Sequence, residues 1–274
     1  MLRKVSFVVI VGIAGLLGSC KQKDTESHKH FLLGNDCLFK DDLAGAQKEY
    51  EIAINVDTAN WQACFELGGV YELEGDFRNA LYYFSKTIRL HPDFAQAYYN
   101  RGNLEETVGD EKSSVRDMKE AVAHKKDFFA ALLTLGRQAY GKGSFKEAIG
   151  YLDEAIHVNG NFYIAYSIRG TSKFKLGDLA GALKDFSQEV TLNPKNVMSY
   201  VNRGVVYGEM KDYRHAIDDM NAAIALDPLW SQSYIYRGEY YMKSNVKDSG
   251  CGDFRMAFKL KNPQAEEYSK KYCD

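Results

Sequence analysis

Small and bulky residues alternate along this chain with a long period rather than a short one. Glycines recur every 34 residues, at Gly34, Gly68, Gly102, Gly136, Gly170, Gly204 and Gly238. With each unit numbered so that this glycine is position 8, position 20 is small: Ala46, Ala80, Ser114, Ala148, Ala182, Ala216 and Gly250. Position 24 is bulky, as Tyr50, Phe84, Met118, Leu152, Phe186, Met220 and Phe254. Position 27 is mostly small, with Glu189 as the exception. Midway through the unit, Gly75-Asp76, Gly109-Asp110, Gly143-Ser144 and Gly177-Asp178 interrupt the pattern. Such pairs end one helix on a left-handed glycine and cap the next with a side-chain oxygen. Ser144 with Glu147 has the spacing of a reciprocal capping box. Each unit therefore predicts helix A over roughly positions 1–14 and helix B over roughly positions 17–31. All four prolines fall at position 32 or 33, outside the predicted helices. The pattern runs seven times over residues 27–264, and a fifteenth helix is expected from Pro263 to Tyr272, with residues 265–274 forming most of a C-terminal cap.

The period, the position-8 glycine, the small residues at 20 and 27 and the prolines at Pro92, Pro194 and Pro228 resemble the tetratricopeptide repeat family. That resemblance implies an all-α fold, a right-handed superhelical solenoid of seven antiparallel helix pairs with a capping helix. One such pair cannot bury its own apolar face, so stability comes from stacking neighbours. The small residues let helices approach and the bulky ones fill the gaps, which gives the glycines a packing role.

Three positions change together. Arginine at position 7 (Arg101, Arg169, Arg203, Arg237) coincides with aspartate at position 23 (Asp117, Asp185, Asp219, Asp253) and tyrosine at position 4 (Tyr98, Tyr166, Tyr200, Tyr234). Units with Leu33, Leu67 and Leu135 carry Glu49, Tyr83 and Tyr151 instead. An arginine facing helix B needs an anion, because a lone buried charge is expensive, and a forked Arg–Asp pair supplies it. Each guanidinium is expected to meet its own unit's carboxylate, largely buried, with the tyrosine alongside. The other reading of these arginines is direct contact with a ligand.

In the family, the concave groove is lined by helix-A positions 2, 5, 6, 9, 12 and 13. Carried over residue by residue, the N-terminal end presents Phe31, Leu32, Leu38, Phe39, Phe65 and Leu73. The middle presents Tyr99, Asn100, Asn103, Arg137 and Tyr140, and the far end Phe174, Lys175, Asn202, Tyr236 and Glu239. Aromatic anchors with amides suit a protein or peptide ligand. Phe31, Leu38 and Phe39 could equally fill the end of the array. One branch of the family clamps acidic C-terminal tails with a lysine at position 5, an asparagine at position 9 and further basic residues two units on. Here Asn35 stands at position 9 but Phe31 at position 5 and Gln96 at position 2 of the third unit, so that clamp is absent.

The first 26 residues differ in kind. Arg3 and Lys4 precede a 13-residue apolar stretch from Val5 to Leu17, short of the roughly 20 residues of a spanning helix. It ends in Leu17-Gly18-Ser19-Cys20, which resembles a bacterial lipoprotein signal. That implies removal of residues 1–19, lipidation of Cys20 and a polar tether over 20–26; a plain signal peptide is the alternative. Without an aspartate after Cys20, outer-membrane placement facing the periplasm is expected.

The formal charge is −2, or −4 without Arg3 and Lys4, and offers no basic excess for nucleic acid. Export would permit a disulfide between Cys251 and Cys273, whose arrangement resembles a cysteine-flanked tail of bacterial repeat proteins; free thiols are the alternative. Cys37 and Cys64 sit at helix-A core positions. The six histidines form no zinc pattern, and no metal or cofactor is expected; His28 and His30 read as solvated surface. No nucleophile elbow, phosphate loop or dinucleotide fingerprint is present, so an enzyme is not expected. The expected function is a lipid-anchored adaptor for a protein partner. A structural subunit of a secretion or outer-membrane assembly machine is the alternative, followed by an accessory to peptidoglycan- or glycan-processing enzymes.

Overall fold

The computed structural model describes residues 26–273. Cys20 and the expected signal and tether up to residue 25 lie outside them. The described residues form fifteen α-helices and no strand, as the 34-residue pattern requires. The chain divides after Lys126 into two compact units.

Unit 1 holds three hairpins: α1 (Glu26–Phe39) with α2 (Leu43–Val56), α3 (Trp61–Glu74) with α4 (Phe77–Leu90), and α5 (Ala95–Thr107) with α6 (Glu111–His124). Odd-numbered helices are helix A and even-numbered ones helix B. Close approach within a hairpin depends on the position-8 glycine. A Cβ on Gly34 would lie 2.5 Å from Tyr50, and one on Gly68 would lie 2.8 Å from Phe84. Tyr50 and Phe84 are fully buried and anchor two adjoining cores.

Unit 2 holds α7 (Phe129–Gly141), α8 (Phe145–Val158), α9 (Tyr163–Lys175), α10 (Leu179–Leu192), α11 (Val197–Glu209), α12 (Tyr213–Leu226), α13 (Ser231–Lys243), α14 (Lys247–Lys259) and α15 (Ala265–Tyr272). Each helix packs on the next, and α7, α9, α11 and α13 also touch in succession. The last helix begins two residues later than Pro263 would allow, because the Gln264 N–H donates to Asn262 Oδ1 at 2.9 Å and turns the chain first. Phe254 then packs against Tyr268 and Tyr272, with centroids at 5.3 and 5.9 Å. Cys251 and Cys273 form a disulfide with Cα atoms 5.8 Å apart, tying α15 to α14.

The turns inside the hairpins share one backbone shape. Gly75, Gly109, Gly143 and Gly177 have φ of 75 to 88°, and Asp41, Lys211 and Asn245 occupy the same position at 60 to 63°. Aspartate and asparagine tolerate this left-handed region better than other side chains; lysine at 211 does not share that excuse. Asp42, Asp76, Asp110, Asp178 and Asp212 each accept a backbone N–H three residues on. The capping box expected at Ser144 does not form: Ser144 makes no capping bond, and Glu147 Oε1 lies 3.4 Å from the Tyr151 hydroxyl, farther along the helix.

Candidate interaction surfaces

Helix A is held to helix B by charge in four of the seven hairpins. Arg101 Nη2 donates to Asp117 Oδ1 at 3.0 Å, and its Nε donates to the other oxygen. The same fork joins Arg169 Nε to Asp185 at 2.9 Å, Arg203 Nε to Asp219 at 2.9 Å and Arg237 Nε to Asp253 at 2.8 Å, each with a second bond from Nη2. All four aspartates are buried. Each guanidinium carbon also stands 5.4 to 5.8 Å from the ring of its position-4 tyrosine. The third arm reaches outward. Nη1 of Arg101 donates to Ser85, that of Arg169 to Asp153 and that of Arg237 to Asn221, all at position 25 of the preceding hairpin. Tyr166, Tyr200 and Tyr234 donate their hydroxyls to the carbonyls of Gly160, Pro194 and Pro228 in the preceding loop. These arginines are therefore positioned by the fold, each with its Nε and Nη2 donors committed to its own hairpin. In the first hairpin the pair is different: His30 Nδ1 lies 2.6 Å from Glu49 Oε2, both side chains half-buried, so His30 is not a solvated surface residue.

With helix A fixed, its outer face is defined in each unit. In unit 1, Phe39 is 90% exposed, and Leu32 and Leu73 are about half exposed. Phe31 leans on Tyr50 at 6.1 Å, and it and Leu38 are partly buried against the first core. Phe65 is a correction. It is buried between Phe84 at 5.8 Å and Phe94 at 5.0 Å, and so belongs to the core rather than to a groove. Tyr99, Asn100 and Asn103 are half-buried, and Asn100 Oδ1 accepts from Gln96 Nε2 at 2.9 Å. Across the first hairpin, the Tyr50 hydroxyl of α2 donates to Asn35 Oδ1 of α1 at 2.7 Å. Burial pushes the Glu66 carboxyl up to about 7 and raises that of Glu72. In unit 2, Arg137 is exposed, whereas Tyr140 is half-buried 5.8 Å from Phe145. Phe174 and Tyr236 rest partly buried against neighbouring cores, and Asn202 is half-buried. Burial and Glu239 push the Tyr268 hydroxyl of α15 up to about 12.

Residues 133–197 and 199–228 match tetratricopeptide repeat families, and the hairpin geometry recurs in all seven 34-residue units. Across those residues the chain is a tetratricopeptide repeat protein. Its fold is shared with solved structures. YrrB, described as a tetratricopeptide repeat protein with an unusual peptide-binding site, superposes with a TM-score of 0.62 at 21% identity, over 67% of this chain and 95% of that one. The MamA protein gives 0.59 at 23% identity, over 63% and 94% of the two chains. A tetratricopeptide repeat protein from Parabacteroides merdae gives 0.58 at 18% identity, over 91% and 99%. No curated protein matches the sequence.

Chemically, these repeat faces offer hydrogen bonds, carboxylates and apolar side chains. Among the described residues no group of three His, Cys, Asp or Glu is arranged to hold a metal ion, and no helix is long and apolar enough to cross a membrane. Two polar substitutions at core positions find partners in ways the repeat pattern does not signal. Glu189, at the small position 27, is buried and accepts through Oε1 from Ser199 Oγ at 2.9 Å, a serine where most repeats place alanine, while its Oε2 is unpartnered. Lys173, at the bulky position 11, pairs with Asp185 at 2.8 Å. Glu105, at the same position in the third repeat, is less well served: it is buried, 3.7 Å from Arg116 Nη2, with Oε2 unpartnered.

Proposed function

We propose that this chain is a lipid-anchored adaptor that holds a protein or peptide partner on its helix-A faces at the bacterial cell envelope. The observation that carries the reading is the division of labour within each repeat. Arginine forks and core aromatics are taken up in packing, while Phe39, Leu32 and Leu73 are exposed on the helix-A face of unit 1 with Asn100 and Asn103, and Asn202 stands on helix A in unit 2. Exposed apolar anchors beside amides are what an extended or helical segment needs, since the amides can bond its backbone. YrrB, with its peptide-binding site, supports the same use of the fold.

Anchoring rests on Leu17-Gly18-Ser19-Cys20 directly after an apolar stretch. Acylation on more than one chain would hold the protein firmly, where one chain gives only marginal binding. The Cys251–Cys273 disulfide suits an oxidising compartment, and lysine rather than aspartate after Cys20 supports outer-membrane placement. Two measurements test the two halves of the reading. Mass spectrometry of the membrane fraction should find an acylated N-terminus at Cys20, and Cys20→Ser should release the protein; a full-length variant that stays membrane-bound sinks the anchor. Crosslinking from Phe39 and Asn103 in intact membranes should capture a protein; crosslinks only from the helix-B faces would sink the groove.

A further inference from the structure

We infer that the helix-A face of unit 1 receives the lysine or arginine side chains of a partner segment, with Glu66 and Glu72 as the carboxylates that take them. The inference rests on the groove reading above and narrows it to a class of ligand. Positions 2, 5, 6, 9, 12 and 13 of the first three repeats hold Glu66, Glu72 and Glu106 and no lysine or arginine. In residues 26–126, Asp and Glu exceed Lys and Arg by six, whereas in residues 127–273 the basic residues exceed the acidic ones by two. The acidity is thus concentrated in the unit whose groove face carries no cation.

Several enclosed carboxylates of this fold are answered by a cation from within, although Glu189 meets only serine and Glu105 is incompletely paired. Asp117 has Arg101, and Glu49 has His30. Among the described residues, half-buried Glu66 and Glu72 have no ion-pair partner, although burial disfavours their charged form. An arriving ammonium or guanidinium would supply the missing countercharge in a setting already stripped of much of its water. The surroundings fit such a side chain along its length. Leu32, Phe39 and Leu73 offer apolar surface to an aliphatic stem. Asn35, bonded to the Tyr50 hydroxyl, lies on the helix-A face near Glu66, whose charge acts on that same hydroxyl. Glu66 and Glu72 are six residues apart on α3, about 9 Å along its axis. Side chains of an extended segment alternate between its two sides, so the residues that meet one face are two or four apart, about 7 or 13 Å. The expected ligand is therefore an extended segment whose basic residues repeat on one side.

The test is selection of twelve-residue peptides from a random display library on the full chain carrying Cys20→Ser, followed by affinity measurement by fluorescence anisotropy. The proposal expects binders enriched in paired Lys or Arg, weakened at least tenfold by Glu66→Gln with Glu72→Gln, and also weakened by Glu72→Gln alone. Both substitutions remove uncompensated charge, and circular dichroism melts should show the fold retained. Binders that lack basic residues but are lost on Phe39→Ser overturn the charge assignment and leave the groove reading standing. Basic binders indifferent to both glutamates overturn it as well. Binding that appears only after Lys21→Gln and Lys23→Gln would mean that the chain's own lysines fill the face, overturning a foreign partner. Binders to none of these proteins would overturn the groove reading itself.

Discussion

Asp185 is the paired aspartate that answers two largely buried cations, and its removal is the most demanding test of how the repeats are held. Its carboxylate is 1% exposed and accepts from Arg169 Nε at 2.9 Å, from Arg169 Nη2, and from Lys173 Nζ at 2.8 Å. The two cations are themselves only 14% and 18% exposed. Asp185→Ala strands both of them. Arg169 keeps Asp153 through Nη1, but Lys173 loses its ion pair. Breaking a buried pair by deleting one partner costs about 3–5 kcal/mol, because the remaining charge is left uncompensated. Asp219→Ala strands one cation, Arg203, which is 22% exposed and can reach water, so its cost should be smaller, about 2–3 kcal/mol. Replacing both members in that repeat, Arg203→Leu with Asp219→Tyr, copies the Leu135 and Tyr151 of the fourth repeat and should cost less than Asp219→Ala alone. Urea denaturation followed by circular dichroism reads the series, with hydrogen exchange assigning the loss to α9 and α10, since repeat arrays need not unfold in one step. A cost below about 1 kcal/mol for Asp185→Ala, or a double variant as damaged as the single one, would refute the reasoning.

Three further outcomes follow from the packing. Gly68→Ala should destabilise by about 1–3 kcal/mol, because its Cβ would lie 2.8 Å from Phe84, whereas neighbouring Gly69→Ala, with nothing within 4 Å, should gain about 0.5–1 kcal/mol; thermal melts of the two variants should move in opposite directions. Reducing Cys251–Cys273 opens a 22-residue separation and should cost about 3 kcal/mol in the chain-entropy model, with exchange protection lost first in α15. Glu105 is raised from 4.5 to about 7, first by burial and then by Asp117, so its contribution is present below about pH 4.5 and is lost as pH rises through about 7. Glu105→Gln should therefore raise the melting temperature by about 2–4 °C at pH 8 and change it little at pH 4.5, and equal shifts at both values would contradict the assignment.

Much of this architecture could be read from the chain because the repeat makes one geometric solution visible seven times. Within a hairpin, positions 8 and 24, and positions 7 and 23, are 16 residues apart and always face each other. The Gly34–Tyr50 approach and the Arg101–Asp117 fork are therefore written as recurring spacings in the sequence. The same regularity placed the two helices of every unit and the glycine turns between them. Contacts made between hairpins, or by residues that do not recur, needed the tertiary structure. Phe65 occupies a groove position by count, yet Phe94 at the end of its own repeat closes over it, while the corresponding Phe31 has Asn60 in that place. Glu189 looks like a fault in a helix interface until Ser199 of the next repeat is seen to meet it. The outward arms of Arg101, Arg169 and Arg237 find a serine, an aspartate and an asparagine at position 25, three residue types that share no sequence signal beyond polarity. Periodicity records what each repeat does to itself; exposure and polar satisfaction depend on the particular neighbour, and only the packed chain supplies that.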